Sequence, residues 1–266
     1  MGVLDKIKQD RKGIKTNTES LIIEQTLNKL FFCDINPEEE IKMLKMQYKQ
    51  KNGDRYGLHA SSMLASEKEF CYRKQVLSLF YKQIQGENIP IGLKRLFEEG
   101  NFIGEKWQRL FIRGGLGKAE DMDRSLFWPE YDLSYTPDAI IKIGKNKYVV
   151  EIKSQNTFTF KKATSHPGGM KQLKFYMYLT GIHRGFVLVE DKNDQSFKIY
   201  IAEYDPAELD TYIERLEYIQ VYKERFQNKK KMVKRLCKRD NIKRAKECNM
   251  RDACWNLGMG RIKLDV

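Results

Sequence analysis

The sequence predicts an α/β fold, a mixed central sheet flanked by helices with helical additions at both ends. Three observations predict it. The middle of the chain holds short runs with strand-like alternation, "LSYTPDAIIKI", "KYVVEIKSQ", "RGFVLVE" and "FKIYIAEY". Helical periodicity precedes these runs, interrupts them once and follows them. At 266 residues and 41% hydrophobic, with 14 Tyr and 14 Phe, the chain can bury a large core.

In chain order, residues 1–56 form a charged extension with two helical stretches, around Ser20–Phe32 and Pro37–Gln50. "SSMLASEKEFCYRKQVLSLFY" reads as one helix from about Ser62, with an apolar face through Leu64, Phe70, Leu77 and Phe80. A second helix spans Gly92 to about Ile112. Gly100 and Gly104 fall on one face of it, where glycine is useful only for close approach of a backbone or ligand.

The period then changes to two. "LSYTPDAIIKI" and "KYVVEIKSQ" are joined by a turn at "GKN". "PGGMKQLKFYMYLTG" is a helix opened by glycines and closed by Gly181. Two further strands surround the polar turn "DKNDQS". The last long helix starts with Asp205 as N-cap, Pro206 at its first position and Glu208 completing a capping box. These elements divide the chain into an extension (1–56), a core (57–205) and a helical, basic, cysteine-bearing segment (206–266) that packs back on the core.

Lys and Arg outnumber Asp and Glu by 49 to 36, for a net charge of +13. The excess suits a polyanion, either nucleic acid or an anionic membrane surface. No apolar run reaches the length of a membrane span, and "MGVLDKIKQD" lacks a signal-peptide core, which points to an intracellular (cytoplasmic), soluble protein with no membrane partner. No P-loop is present, so ATP-driven unwinding would need a helicase or recombination partner.

Pro137-Asp138 ends one strand run and Glu151-Ile152-Lys153 lies in the next, with twelve residues between the two acids. A hairpin of that length sets Asp138 alongside Glu151, and strand alternation projects Glu151 and Lys153 from the same face. Paired carboxylates repel unless a cation lies between them, and hard divalent ions take such oxygen ligands. Taken singly, an E-x-K in a strand also fits an ion pair, and a P-D dipeptide also fits a turn. Downstream, Gln172 and Tyr176 share one face of the following helix.

The combination of "PD", "EIK" and Gln-x-x-x-Tyr resembles the PD-(D/E)xK nuclease superfamily, and within it the RecB-like exonuclease branch. The resemblance implies a restriction-endonuclease-like core and a metal-dependent DNA exonuclease. Asp138, Glu151 and the Ile152 carbonyl would hold Mg²⁺ or Mn²⁺, Lys153 would orient water, and Gln172 and Tyr176 would position the strand. Members of that branch carry a further histidine ligand four residues after a glycine. Here that offset from Gly100 falls on Gly104, and the resemblance implies that the adjacent Glu105 would be the substitute ligand. A non-catalytic DNA-binding module and an endonuclease on the same fold are the alternative readings.

Five cysteines, an odd number in a presumed reducing compartment, argue against disulfides. Cys33, in "LFFCDI", reads as a core residue. Cys71 precedes the nuclease motifs, and Cys237, Cys248 and Cys254 follow them in polar surroundings. Five residues separate Cys248 from Cys254, and ten separate Cys237 from Cys248. One upstream and three downstream cysteines resemble the iron–sulfur branch of these nucleases, the AddB-like and CRISPR-associated RecB-like exonucleases. There the four thiolates hold a [4Fe–4S] cluster; that branch has two residues where this chain has ten, and Zn²⁺ is the competing occupant.

Between Lys223 and Lys246 the chain carries twelve Lys or Arg against Glu224 and Asp240. Lys229, Lys230, Lys231, Lys234 and Arg235 form its centre, a candidate wall for DNA phosphates, though such runs are commonly just solvated. Of the histidines, His59 and His183 have no evident partner. His166 precedes the Gln172 helix.

Overall fold

A computed structural model describes residues 18–51, 57–81, 91–229 and 231–256. Its centre is a four-stranded mixed sheet in the order β4-β5-β6-β7, built from β4 (Ala139–Ile143), β5 (Asn146–Gln155), β6 (Gly185–Asp191) and β7 (Phe197–Ile201). The β4–β5 hairpin is antiparallel, with Ala139 opposite Val150 and Ile143 opposite Asn146, and turns at Gly144 with φ +59°. Glycine suits that turn because the left-handed region carries no Cβ penalty for it. Strand β6 lies parallel to β5, so the connection must cross over. It does so through α6 (Thr157–Lys162) and α7 (Pro167–Thr180), while β7 returns antiparallel to β6.

Two hydrophobic cores lie on opposite faces of this sheet, as strand alternation requires. Val150, Ile152, Phe186 and Leu188 pack with Trp107 and Phe111 of α5 (Ile91–Arg113). The same core takes Ile23 and Leu27 of α1 (Thr18–Lys29) and Met43 of α2 (Pro37–Lys51). Val149, Val187 and Val189 face the other way, onto Leu173 and Tyr176 of α7 and Leu216 and Ile219 of α8 (Asp210–Lys229). Each core therefore crosses a boundary drawn from sequence, at 56 or at 205. Helix α2 is further tied to α5 by Glu40 and Arg113, whose two contacts measure 2.7 and 3.2 Å. The Arg113 guanidinium holds the Glu40 carboxyl below its usual value.

A second, smaller sheet has the order β1-β3-β2, from β1 (Leu58–His59), β2 (Leu126–Trp128) and β3 (Leu133–Tyr135). The run "LSYTPDAIIKI" is thus two strands in two sheets, parting at Thr136–Asp138, rather than one. Proline cannot donate into a ladder, and Pro137 sits at the break.

The expected helix from Ser62 is likewise divided, into α3 (Ala60–Met63) and α4 (Tyr72–Ser78). The buried Arg215 of α8 takes the carbonyls of Met63 and Ala65, drawing them away from a helical ladder. Ser66 also bonds the Glu69 side chain at 2.8 Å, a local turn that competes with helix. Asp205 does cap, accepting from the Ala207 N–H at 3.0 Å, but what it caps is a 3-10 turn, Pro206–Leu209, that leads into α8. Glu208 does not complete a box; both its oxygens bind Lys174 at 2.7 Å. Cys33 is half-buried rather than a core residue, with its Sγ 3.7 Å from the Lys29 carbonyl. Two short helices, α9 (Lys243–Lys246) and α10 (Arg251–Asn256), end the described chain. Among the described residues, no helix is long and apolar enough to cross a membrane.

Candidate active site

The start of β4, the middle of β5 and the first half of α7 converge at the floor of a cleft of about 1000 Å³. Register carries the acids there: Ala139 pairs with Val150, which leaves Asp138 beside Glu151 at the next step. The Ile152 N–H donates to Asp138 Oδ2 at 2.6 Å and locks that step. Glu151 is fully buried (0% exposed), and its Oε2 receives no hydrogen bond among the described residues. Lys153 Nζ lies 2.5 Å from Glu151 Oε1 and forms an ion pair with it. The ammonium is also 3.4 Å from Gln172 Oε1, and Gln172 Nε2 donates to the Tyr176 hydroxyl at 3.1 Å.

The electrostatics follow from this crowding. Burial, then the neighbouring Asp138 charge, hold the Glu151 carboxyl well above the usual carboxylate range. Burial also raises Asp138, against the opposing pull of Lys153 and the Ile152 N–H. Burial works against the Lys153 ammonium, yet the two carboxylates outweigh it and hold its pKa above the ordinary value. Burial and the Glu151 charge keep the Tyr176 hydroxyl protonated. Such a site has excess negative charge, with two acids facing one ammonium, and an open carboxylate oxygen, Glu151 Oε2, at its centre. A hard divalent cation fits both deficits, with Asp138, Glu151 and the Ile152 carbonyl as its donors.

Helix α7 reaches Lys153 because Gly169 lets it approach. A Cβ at Gly169 would come within 2.8 Å of His166 Nδ1, 3.1 Å of Val187 Cγ1 and 3.4 Å of Lys153 Cγ. His166 is the N-cap of α7 and accepts the Gly169 N–H on Nδ1 at 2.9 Å. The other two histidines also find partners: His59 with Ser61 Oγ at 2.9 Å, and His183 stacked on Tyr204.

Glu105 lines the cleft but is paired with Arg109, its neighbour one turn on. Among the described residues no group of three or more His, Cys, Asp or Glu side chains is arranged to hold a metal, and Glu105 shares the cleft of the two acids with its carboxylate turned to Arg109. Gly100 and Gly104 also line the cleft. A Cβ at Gly104 would meet nothing within 4 Å, and one at Gly100 only Ser154 Oγ at 3.9 Å. Among the described residues no backbone approaches these glycines that closely; the bare helix faces the cleft.

No family model matches this chain, and no curated protein matches it. Among solved structures, it is similar to the alkaline exonuclease LHK-Exo from Laribacter hongkongensis, at 18% identity over 65% of this chain and 92% of that one, with a TM-score of 0.47. LHK-Exo in complex with dAMP matches over the same shares at 17% identity and a TM-score of 0.47. SSO0001 matches at 13% identity over 77% of this chain and 89% of that one, with a TM-score of 0.42.

Several residues at the site escaped sequence reasoning. Gln108 of α5 donates to the Asp138 carbonyl at 2.8 Å and accepts from Gln47 of α2 at 2.8 Å. The same carbonyl accepts the Asp123 N–H at 3.0 Å. Gln50, one turn after Gln47, holds the Asp123 carbonyl at 3.0 Å and the Ser125 N–H at 3.2 Å. Asp123 takes a left-handed conformation (φ +48°), lines the cleft and adds its charge to those acting on Glu151. One signal was available: Gln108 is a polar residue beside Trp107 and Phe111 on a buried helix face, where a polar group must have a partner.

The four sequence-distant cysteines approach one another. Cys237 and Cys248 both feel the charges of Cys71 and Cys254, and burial raises both of their thiols. Cys71 is the N-cap residue of α4, and Arg73 in the same helix donates to Cys254 Sγ at 3.1 Å and to the Val233 carbonyl at 2.7 Å. The thiols do not form a closed ligand group. Of the basic run, Lys230 lies outside the described residues. Lys231, Lys234 and Arg235 are exposed and none of them lines the cleft. Arg235 is engaged internally, holding the Cys254 carbonyl and lying 4.4 Å from the Trp255 ring centre.

Proposed function

We propose that this chain is a Mg²⁺- or Mn²⁺-dependent deoxyribonuclease that removes nucleotides from DNA ends. One observation carries the reading: the buried Glu151, paired with Lys153 on Oε1 and open on Oε2, set beside Asp138 on the floor of an open polar cleft. A divalent ion bound there supplies Lewis acidity toward a phosphate and lowers the pKa of a water. Asp138 and Glu151, with the Ile152 carbonyl, hold it. Lys153, kept charged by the two acids, orients the attacking water and faces the phosphate. Gln172 fixes the Lys153 ammonium from the other side, and Tyr176, protonated, fixes Gln172. The net charge of +13 favours a polyanionic substrate, and phosphate contacts from Lys231 and Lys234 would add affinity without sequence preference.

The cysteines form a second part of the proposal. Cys71, Cys237, Cys248 and Cys254 would hold a [4Fe–4S] cluster, with Zn²⁺ the alternative, clipping the tail to α4. Convergence of the thiols from both ends of the chain supports this reading. A cluster requires them to close by a further local adjustment of the tail.

The deciding experiment is digestion of end-labelled single- and double-stranded DNA, with and without Mg²⁺ or Mn²⁺. Metal-dependent release of nucleotides from ends, with closed circular DNA left intact, is the expected result. Binding without cleavage would convert the reading to a catalytically silent DNA-binding module. Cut circles would convert it to an endonuclease.

A further inference from the structure

We infer that Phe97, with Leu96 beside it, is a base-stacking subsite that takes an unpaired nucleobase of the DNA strand entering the cleft. The inference rests on the nuclease reading and names a feature of substrate that the acids alone do not select. Helix α5 divides into two halves: Ile103, Trp107, Leu110 and Phe111 are buried, whereas every residue from 91 to 99 is exposed. Phe97 and Leu96 are each 53% exposed, yet both line the same cleft as Asp138, Glu151 and Lys153. Phe97 packs against no other aromatic ring among the described residues. It therefore has no evident role in the core.

The helix face that carries the ring also leads to the acids. Phe97, Gly100, Gly104 and Gln108 follow one another along one side of α5, and Gln108 touches the Asp138 carbonyl. At a rise of about 1.5 Å per residue, Phe97 stands roughly 16 Å along the axis from Gln108. Between them the two glycines leave bare backbone, with nothing within 4 Å of a Cβ at Gly104. The buried Glu151 carboxylate lies at the far end of this track.

Other parts of the wall are polar, including His59, Ser61, Ser125 and Thr136. A strand whose phosphate lies at the acids must pass its sugars and bases along this track. The base is the flat, apolar part of a nucleotide, and an exposed aromatic face binds it whatever its sequence. In a duplex both faces of a base are already covered by stacked neighbours. A stacking residue at this place thus selects a single-stranded or frayed end.

The test is a scan of one abasic residue through a short labelled oligothymidylate, with wild type, Phe97→Ala and Phe97→Trp. Binding is read without divalent metal, and cleavage with Mg²⁺. In wild type, one abasic position should weaken binding by on the order of 5- to 100-fold. Phe97→Ala should bind the intact strand as weakly and show no dependence on abasic position. Phe97→Trp should restore the dependence, and its added emission should be quenched by the intact strand but not by the abasic one. Wild-type binding by Phe97→Ala, or unchanged abasic sensitivity in it, overturns the inference. Absence of cleavage in all three proteins with the binding pattern retained overturns the nuclease reading and upholds the subsite.

Discussion

The side-chain amide of Gln108 donates to the main-chain carbonyl of Asp138 at 2.8 Å, and Gln47 in turn donates to Gln108 at 2.8 Å. Both glutamines are almost fully buried. A relay thus runs from α2 through α5 to Asp138, the residue before β4, and anchors its main chain. Residues assigned by sequence to an extension are part of the frame of the site.

Gln108→Leu should therefore lower cleavage while leaving the two acids in place. It strands the Gln47 amide in the interior, so a loss of about 1–3 kcal/mol in stability is expected from urea unfolding. The double change Gln47→Leu, Gln108→Leu should recover part of that loss, because neither partner is then left unpaired. Equal stability of the single and double variants would show that the relay is not coupled.

Asp138→Ala and Lys153→Ala should abolish cleavage and leave DNA binding largely intact. Glu151→Gln should also abolish cleavage, yet raise the melting temperature of the metal-free protein near neutral pH, since its repulsion with Asp138 is removed while Asp138 still faces Lys153. Mg²⁺ should raise the melting temperature of wild type and not of Glu151→Gln. Cleavage surviving at Asp138→Ala and Lys153→Ala would sink the site assignment.

His166 gives the site an acid limit. Burial, then the nearby Lys153 charge, hold its pKa below the ordinary 6.5. The neutral ring accepts the Gly169 N–H; the charged ring cannot, and would sit at a helix N-terminus. With the folded pKa depressed, the contribution is complete above the unfolded value near 6.5 and is lost as pH falls through the folded value. His166→Asn keeps an N-cap acceptor without titrating. Its urea midpoint should change less than that of wild type between about pH 7.5 and 5, by an amount worth roughly 1 kcal/mol. The same acid loss in both proteins would place the titration elsewhere.

Protein purified without air should be brown, with broad visible absorbance. Replacing Cys248 or Cys254 by Ser should bleach it and weaken the attachment of the tail, read as faster proteolysis after Lys229. Colourless protein with one bound zinc would assign a Cys₄ zinc site. Colourless, metal-free and equally stable protein would leave the four as ordinary thiols.

The acid pair was legible because it is local: one hairpin with a glycine turn joins Asp138 to Glu151, and alternation carries Lys153 with them. Gln172 and Tyr176 were legible through helical spacing. Gln47, Gln50 and Asp123 were not, since they reach the site from other elements and nothing in their local patterns marks it. The broken helix after Met63 was hidden for a similar reason, as the group that takes its carbonyls, Arg215, comes from α8. The parting of the β3 and β4 run was also hidden. Alternation continues on both sides of Pro137, and only tertiary structure assigns the halves to different sheets.

The hairpin that joins the acids has a consequence for the order of folding. Twelve residues lie between Asp138 and Glu151, so the two meet by closing a short loop, an event of microseconds. Helix α7, packed on the face of β5 that carries Glu151, arrives across a longer loop and later. The carboxylates therefore come together while still hydrated, and their dehydration falls to the closing step. Partly folded chains present a solvated acid pair that bulk cations can screen, so repulsion between the acids does not obstruct the nucleation of the sheet.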